Sequence, residues 1–138
     1  MPPVILRDLS PDAVARMLRA DLAHATEEPP SAIDKFDFHG CGCGVGAIVG
    51  RPPWECHNGG DELLLVLSGS SRLTVLFPEG RVSETLHPGA LAVVPRGTWH
   101  GNDAPDGVTM LYMTPLEGNE HSWEDPSIDS RWKSIEYR

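Results

Sequence analysis

The sequence lacks any long hydrophobic run. Its longest uninterrupted apolar stretch is Leu63 to Leu67, far shorter than the roughly 20 residues that a membrane-spanning helix requires. The N-terminus has no positively charged start followed by an apolar stretch, so we expect no secretory signal. Three cysteines are an odd count without the spacing of a disulfide framework, which suits a reducing compartment. We therefore expect a cytoplasmic protein.

Basic residues are also scarce. The chain has 11 Lys and Arg against 20 Asp and Glu, a net charge of −9, and no run of basic residues. We therefore expect neither nucleic acid nor an anionic membrane as a partner. The net charge places no limit on a bound metal or small molecule, because a dication dominates the field of its own pocket.

Glycine and proline, in contrast, are abundant, with 14 and 13 residues among 138. They separate short apolar runs, a pattern typical of turns in a single all-β domain. Many short strands with such punctuation indicate a sandwich or barrel. The predicted strands are Trp54–His57, Glu62–Leu67, Ser71–Phe77, Arg81–Leu86, Leu91–Val94 and Val108–Met113.

The two ends of the chain differ from this pattern. Ser10 is a suitable N-cap and Pro11 fits a first helical turn, with apolar residues following at helical spacing. The last residues are polar, with Trp123, Trp132 and Tyr137 embedded among them. We predict an N-terminal helical segment (1–30), a barrel (31–114) and a tail (115–138) that packs on the barrel or on a partner subunit.

The segment from Ile33 to Val49 alternates between two faces. Along its second half, every other residue from Gly40 to Gly46 is glycine. A strand with a glycine face is weak by itself. We therefore predict that another backbone or an aromatic ring lies against that face.

Histidines and carboxylates at strand ends form a candidate metal site. Glu55 and His57 are two apart on an extended segment and share a face. Glu62 follows a tight turn that brings it beside His57, and His100 lies beyond Leu91–Val94, after a sharp turn. Two histidines and one carboxylate with open positions suit iron(II) oxygen chemistry, although other metals accept them.

The spacing of these residues matches a family. The chain resembles the cupins, whose first motif is G-x5-H-x-H-x(3,4)-E-x6-G and whose second is G-x5-P-x-G-x2-H-x3-N. The residues that carry the first motif are His57, Glu62 and Gly69, and those of the second are Gly89, Pro95, Gly97 and His100. The resemblance implies a double-stranded β-helix (a jelly-roll barrel), a metal at His57, Glu62 and His100, and a homodimer.

The match has three departures. Glu55 replaces the first histidine of the family, the leading glycine is Gly50, one residue too close, and Ala104 replaces the final asparagine. Glu55 has three interpretations: a fourth metal ligand, an unligated carboxylate that acts as general acid or base, or the mark of a site that has lost its metal. One cupin subgroup, the 3-hydroxyanthranilate dioxygenases, also uses two His and one Glu. Pro53 stands at the position of that subgroup's substrate-binding arginine, so we do not predict that activity.

Less specific interpretations remain beside these. His57, Glu62 and His100 could form a hydrogen-bond network without a metal, although a buried Glu62 carboxylate needs a partner in either case. Cys41 and Cys43 are better explained as small core residues than as metal ligands. Arg51 and Arg96 lie in loops near the ligand strands and could hold an anionic substrate.

We therefore predict a metal-dependent enzyme that acts on a small organic molecule. A dioxygenase is the leading class, and an isomerase or lyase follows. The predicted cofactor is a divalent transition metal, iron first, with manganese, nickel or zinc as alternatives. The competing hypothesis is a non-catalytic cupin that binds or senses a small molecule.

Overall fold

The computed structural model describes residues 8–16, 35–128 and 134–135. These residues form a helix, α1 (residues 11–16), ten strands and one 3-10 turn at Pro126–Ile128. The strands are β1 (Phe36–Phe38), β2 (Cys41–Gly50), β3 (Trp54–His57), β4 (Glu62–Gly69), β5 (Ser71–Phe77), β6 (Gly80–Leu86), β7 (Leu91–Val94), β8 (Trp99–Pro115), β9 (Asn119–Ser122) and β10 (Ser134–Ile135).

The predicted cap of α1 is confirmed. The Ser10 carbonyl accepts the Val14 amide at 3.0 Å, and the Ser10 hydroxyl accepts the Ala13 amide at 3.5 Å. These bonds satisfy donors that the first turn of a helix leaves without intrahelical partners. Val14 is buried. The continuation predicted through Met17, Leu18 and Leu22 lies outside the described residues.

The strands form two sheets that share β8. One has the order β1-β2-β8-β4-β7 and the other the order β9-β3-β8-β5-β6-β10. All pairings are antiparallel except that of β10 with β6. Residues 99–103 of β8 pair with β5, and residues 108–115 pair with β2 and β4. Gly107, at a φ of 91°, lies between these two halves, where β8 passes from one sheet to the other.

Two predicted elements need correction. The strand predicted at Val108–Met113 begins at Trp99, so His100 lies on a strand and not in the loop after β7. Residues 99–103 lack an apolar alternation because pairing with β5, not a hydrophobic face, holds them extended. The alternating segment from Ile33 to Val49 is broken by a turn at His39 and Gly40, both with positive φ.

The apolar core fills the space between the sheets. Buried side chains alternate along β4 and β5, as expected for strands with one inward face. The core residues are Leu64, Val66, Leu73, Val75, Leu86, Val94, Ala104, Val108 and Met110. Glu62 takes the first inward position of β4, so the strand places a carboxylate at one end of the core.

The glycine face of β2 points into the same interior. A Cβ on Gly44 would lie 2.8 Å from the Tyr112 hydroxyl and 3.1 Å from its Cζ. Because Gly44 pairs with Tyr112 in the register of β2 and β8, the ring lies across the glycine strand. The predicted aromatic cover is therefore confirmed.

Candidate metal centre

Three strands bring the predicted ligands together. His57 ends β3, Glu62 begins β4, and His100 is the second residue of β8, directly opposite Glu55 in the pairing of β3 with β8. His57, Glu62 and His100 are buried, and Glu55 is partly exposed. The structure thus gathers all four candidate residues.

The distances between their polar atoms are short. Glu62 Oε1 lies 3.0 Å from His100 Nε2, and Glu62 Oε2 lies 3.1 Å from His57 Nε2. Glu55 Oε2 lies 3.7 Å from each of the two imidazole Nε2 atoms. One donor atom from each residue can be chosen so that all four lie within 4.8 Å of one another.

These separations fit a single transition-metal ion. Ligand bonds of about 2.0–2.3 Å place neighbouring donors roughly 2.8–3.8 Å apart, from octahedral to tetrahedral geometry. The His57 Nε2 atom is buried and has no aligned hydrogen bond among the described residues, although Glu62 is near. A buried nitrogen without a partner costs free energy unless something else binds it. The cluster can therefore hold a metal.

Electrostatics lead to the same conclusion. Burial would lower the pKa of His57, but the Glu55 and Glu62 carboxylates outweigh burial and raise that pKa to about 10. Burial would raise the pKa of Glu62, but hydrogen bonds from His100 and His57 lower it to about 2. Positive charge beside the buried Glu62 carboxylate therefore stabilises it. In the metal-free protein a proton on His57 supplies it, and a divalent ion would replace that proton.

Two neighbours that the sequence did not indicate orient the ligands. The His57 Nδ1–H donates to Asn119 Oδ1 at 2.8 Å, and the Asn119 amide donates to the Pro115 carbonyl at 2.8 Å. Thr114 donates its hydroxyl to Glu62 Oε2 at 2.6 Å. Partners of this kind fix the tautomer and direction of a metal ligand. Thr114 follows Met113, which pairs with Leu63 of β4, and Asn119 lies in β9, which had no strand pattern, so no pattern in the sequence indicates either contact.

His121, for which the sequence indicates no companion ligands, contacts the cluster from outside. Its Nε2 lies 3.2 Å from Glu55 Oε1, whereas Glu55 Oε2 faces the two imidazoles. The pairing of β9 with β3 places His121 directly opposite Glu55. No pattern in the sequence indicates this contact, because it depends on the chain after Pro115 returning to β3.

A cavity of about 360 Å³ opens beside the cluster. Its size lies near the lower end of the range for ligand pockets, about 300–1,000 Å³. Glu55 and Glu62 form part of its wall. The other lining residues are Lys35, Gly42, Gly46, Ala47, Ile48, Leu64, Asn102, Met110, Tyr112, Thr114, Pro115, Leu116 and Asn119.

Other candidates lie away from this centre. Arg51 is exposed and pairs with Asp103 at 3.0 Å, and Arg96 is exposed as well. Neither lines the cavity. Cys41 and Cys43 are free thiols in β2, and neither belongs to the metal-binding group. Among the residues that the structure describes, no helix is long and apolar enough to cross a membrane.

Comparisons with known proteins identify the fold. No protein-family model matches the chain, and no curated protein matches it. A conserved protein with a double-stranded β-helix domain from Klebsiella pneumoniae matches at a TM-score of 0.61 and 16% identity, over 89% of this chain and 100% of that one.

Two further structures agree. The cupin domain of a Schizosaccharomyces pombe protein matches at a TM-score of 0.51 and 16% identity, over 61% of this chain and 59% of that one. Hydroquinone 1,2-dioxygenase from Sphingomonas, with 4-hydroxybenzoate bound, matches at a TM-score of 0.53 and 16% identity. The match covers 84% of this chain and 82% of that one. These likenesses show the double-stranded β-helix fold that the sequence predicted.

Proposed function

We propose that the protein is a metal-dependent enzyme that acts on a small organic molecule, with a dioxygenase as the leading reaction class and an isomerase or lyase next. His57, Glu62 and His100 hold the metal, and iron is the first choice. The observation that carries the proposal is the convergence of four donor groups within 4.8 Å beside a cavity. The similar fold of a hydroquinone dioxygenase supports the reaction class.

The residues of the chain have separable tasks in this proposal. The bound metal supplies Lewis acidity or activates oxygen. Thr114 holds one oxygen of Glu62, and Asn119 holds the Nδ1–H of His57, so that His57 Nε2 faces the centre. The buried walls exclude water around the two imidazoles. Glu55, half-exposed at the cavity, is placed to take or give a proton.

Glu55 keeps two roles in the proposal. Its Oε2 is equidistant from both imidazoles, which favours a fourth ligand, whereas its contact with the cavity favours a proton-transferring group. Water-proton relaxation of Mn²⁺-loaded protein distinguishes them. If Glu55 is a ligand, Glu55→Ala gains a metal-bound water, and if Glu55 is only a base, the number of bound waters is unchanged.

A second candidate function rests on the same carboxylate. A metal bound by all four side chains keeps fewer open positions, which would suit a non-catalytic cupin that binds or senses a small molecule. The proposed partners are otherwise those expected from the sequence: a small-molecule ligand and a second copy of the chain, in the cytoplasm, without nucleic acid or membrane.

Elemental analysis tests the metal site. Protein purified without added metal is compared with His100→Ala and with His87→Ala, a control histidine exposed in the turn before β7. We expect about one transition metal per chain in the wild type and the control, and almost none in His100→Ala with its circular dichroism unchanged. Equal metal content in all three, or a wild type that binds no added Fe²⁺ or Zn²⁺, would refute the proposal.

A further inference from the structure

The cavity beside the metal centre combines one basic side chain with an apolar wall. Lys35 is the only basic side chain among the described lining residues. The register places Tyr112 opposite Leu64, two residues along β4 from Glu62, and places Met110 two residues further on. A ligand that fits this distribution has a negative group beside Lys35 and an apolar body that extends toward Met110.

The strand register explains why Lys35 faces the cavity. Phe36 pairs with Cys43 and Asp37 with Gly42, so one further step places Lys35 opposite Gly44. Residues opposite one another share a face of the sheet, and the glycine face of β2 is the cavity face. Lys35 is exposed and has no ion pair among the described residues. Asp37 shares that face but does not line the cavity.

A second donor lies in the same row of the sheet. The Tyr112 hydroxyl is buried and has no hydrogen-bond partner among the described residues. It lies over Gly44, the residue that the extended register places opposite Lys35. A buried hydroxyl without a partner costs free energy, and a ligand oxygen at this wall would remove that cost.

We propose that the cavity binds a small monocarboxylic acid, with its carboxylate at Lys35 and Tyr112 and its apolar body along Ile48, Leu64 and Met110. This inference deepens the proposed function, on which it rests for the reaction at the metal centre. Lys35 and Tyr112 set the specificity and orientation of the ligand. The loop arginines, which sequence analysis offered for an anionic substrate, do not line the cavity.

Matched ligand pairs test the proposal. Benzoate, 4-hydroxybenzoate and hexanoate are each compared with their primary amides by ligand-observed NMR, in metal-free and in Zn²⁺-loaded protein. We expect at least one acid to bind more tightly than its amide. Lys35→Met should weaken the acid about fivefold, as for an ion pair with an exposed partner, and leave the amide unchanged. Tyr112→Phe, which keeps the ring over Gly44, should weaken the acid further.

A charge control completes the experiment. Arg72→Gln removes a positive charge from an exposed position on β5, outside the cavity, and should leave the preference for acids intact. Binding of no acid, no preference for acid over amide, or a preference that persists in Lys35→Met would overturn the proposal. Titration with Zn²⁺ alone separates the two ideas: failure to bind Zn²⁺ counts against the metal centre, whereas loss of the acid preference counts against the ligand class.

Discussion

At the scale of single residues, the main feature of this protein is a carboxylate buried at the end of its core. Glu62 is 3% exposed and receives contacts from two imidazoles and the Thr114 hydroxyl. A buried charge of this kind is tolerated only when it is paired and hydrogen-bonded. The charge state of His57 therefore decides how stable the site is without a metal.

The stability of the metal-free protein should fall as pH rises above neutrality. The pKa of His57 is raised from 6.5 to about 10 in the folded state, so its stabilisation is complete below pH 6.5 and lost as pH rises through about 10. Glu62, with its pKa lowered to about 2, stabilises above pH 4.5 and loses this effect as pH falls through about 2. Urea unfolding of chelator-treated protein between pH 6.5 and 10 measures the first effect.

The control for this pH effect is His57→Gln, which cannot be protonated in that range. Its free energy of unfolding should depend less on pH than that of the wild type, and the difference between the two curves isolates the imidazole. Parallel curves would show that the Glu55 and Glu62 carboxylates do not hold a proton on His57.

Asn119 should control metal affinity through His57. Replacing it by Ala removes the acceptor of the His57 Nδ1–H, so the ring loses its fixed tautomer. Changes to such partners typically lower metal affinity about 10- to 100-fold. Competition for Zn²⁺ against a chromophoric chelator measures the change, and ¹⁵N imidazole shifts report the tautomer.

The variant Asn119→Asp keeps an acceptor oxygen and should retain most of the affinity and the Nδ1–H tautomer. His87→Ala serves as a second control, because His87 is exposed in the turn before β7, away from the cluster. If Asn119→Ala binds Zn²⁺ as tightly as the wild type with the same tautomer, β9 has no part in orienting the ligand.

At the scale of secondary-structure elements, β2 depends on its glycine face. A Cβ at Gly44 would meet the Tyr112 hydroxyl at 2.8 Å, whereas a Cβ at Gly46 would meet the ring at an ordinary 3.7 Å. Gly44→Ala should therefore destabilise the protein by about 1–3 kcal/mol through overpacking, while Gly46→Ala should be near neutral. Thermal unfolding compares them.

The cause of that difference can be tested by relieving the contact. In a double-mutant cycle, Tyr112→Ala should remove most of the cost of Gly44→Ala. Equal effects of Gly44→Ala and Gly46→Ala, or additive effects in the cycle, would mean that the ring does not hold the strand in this way.

The elements also show what the sequence could and could not predict. The strands β3, β5 and β7 match their predicted bounds because apolar residues and turn signals delimit them. The first half of β8 and all of β9 were missed, since polar residues there are held by pairing with distant strands. The four metal-site candidates were found from motif spacing, whereas Asn119 and His121 reach the site only through tertiary pairing.

At the scale of the whole molecule, one sheet has a second apolar face, turned away from the core. Leu91 and Val93 on β7 are 58% and 53% exposed. Each begins a row of cross-strand neighbours on the face opposite to Glu62. The two rows are Leu91, Leu65, Leu111, Val45 and Val93, Leu63, Met113, Cys43. Val45 and Cys43 are only 2% exposed, so the exposed part of this face is the strip along β7.

A second copy of the chain should cover this face. The edge strand β7 pairs only with β4 among the described residues, and an exposed apolar edge is a site of association. A twofold axis would place the same rows against each other. The double variant Leu91→Glu/Val93→Glu should convert a dimer into a folded monomer in light scattering, while Trp123→Glu, at a residue 81% exposed elsewhere, should stay dimeric. A wild type that is monomeric at about 100 µM, or a double variant that stays dimeric, would contradict this interface.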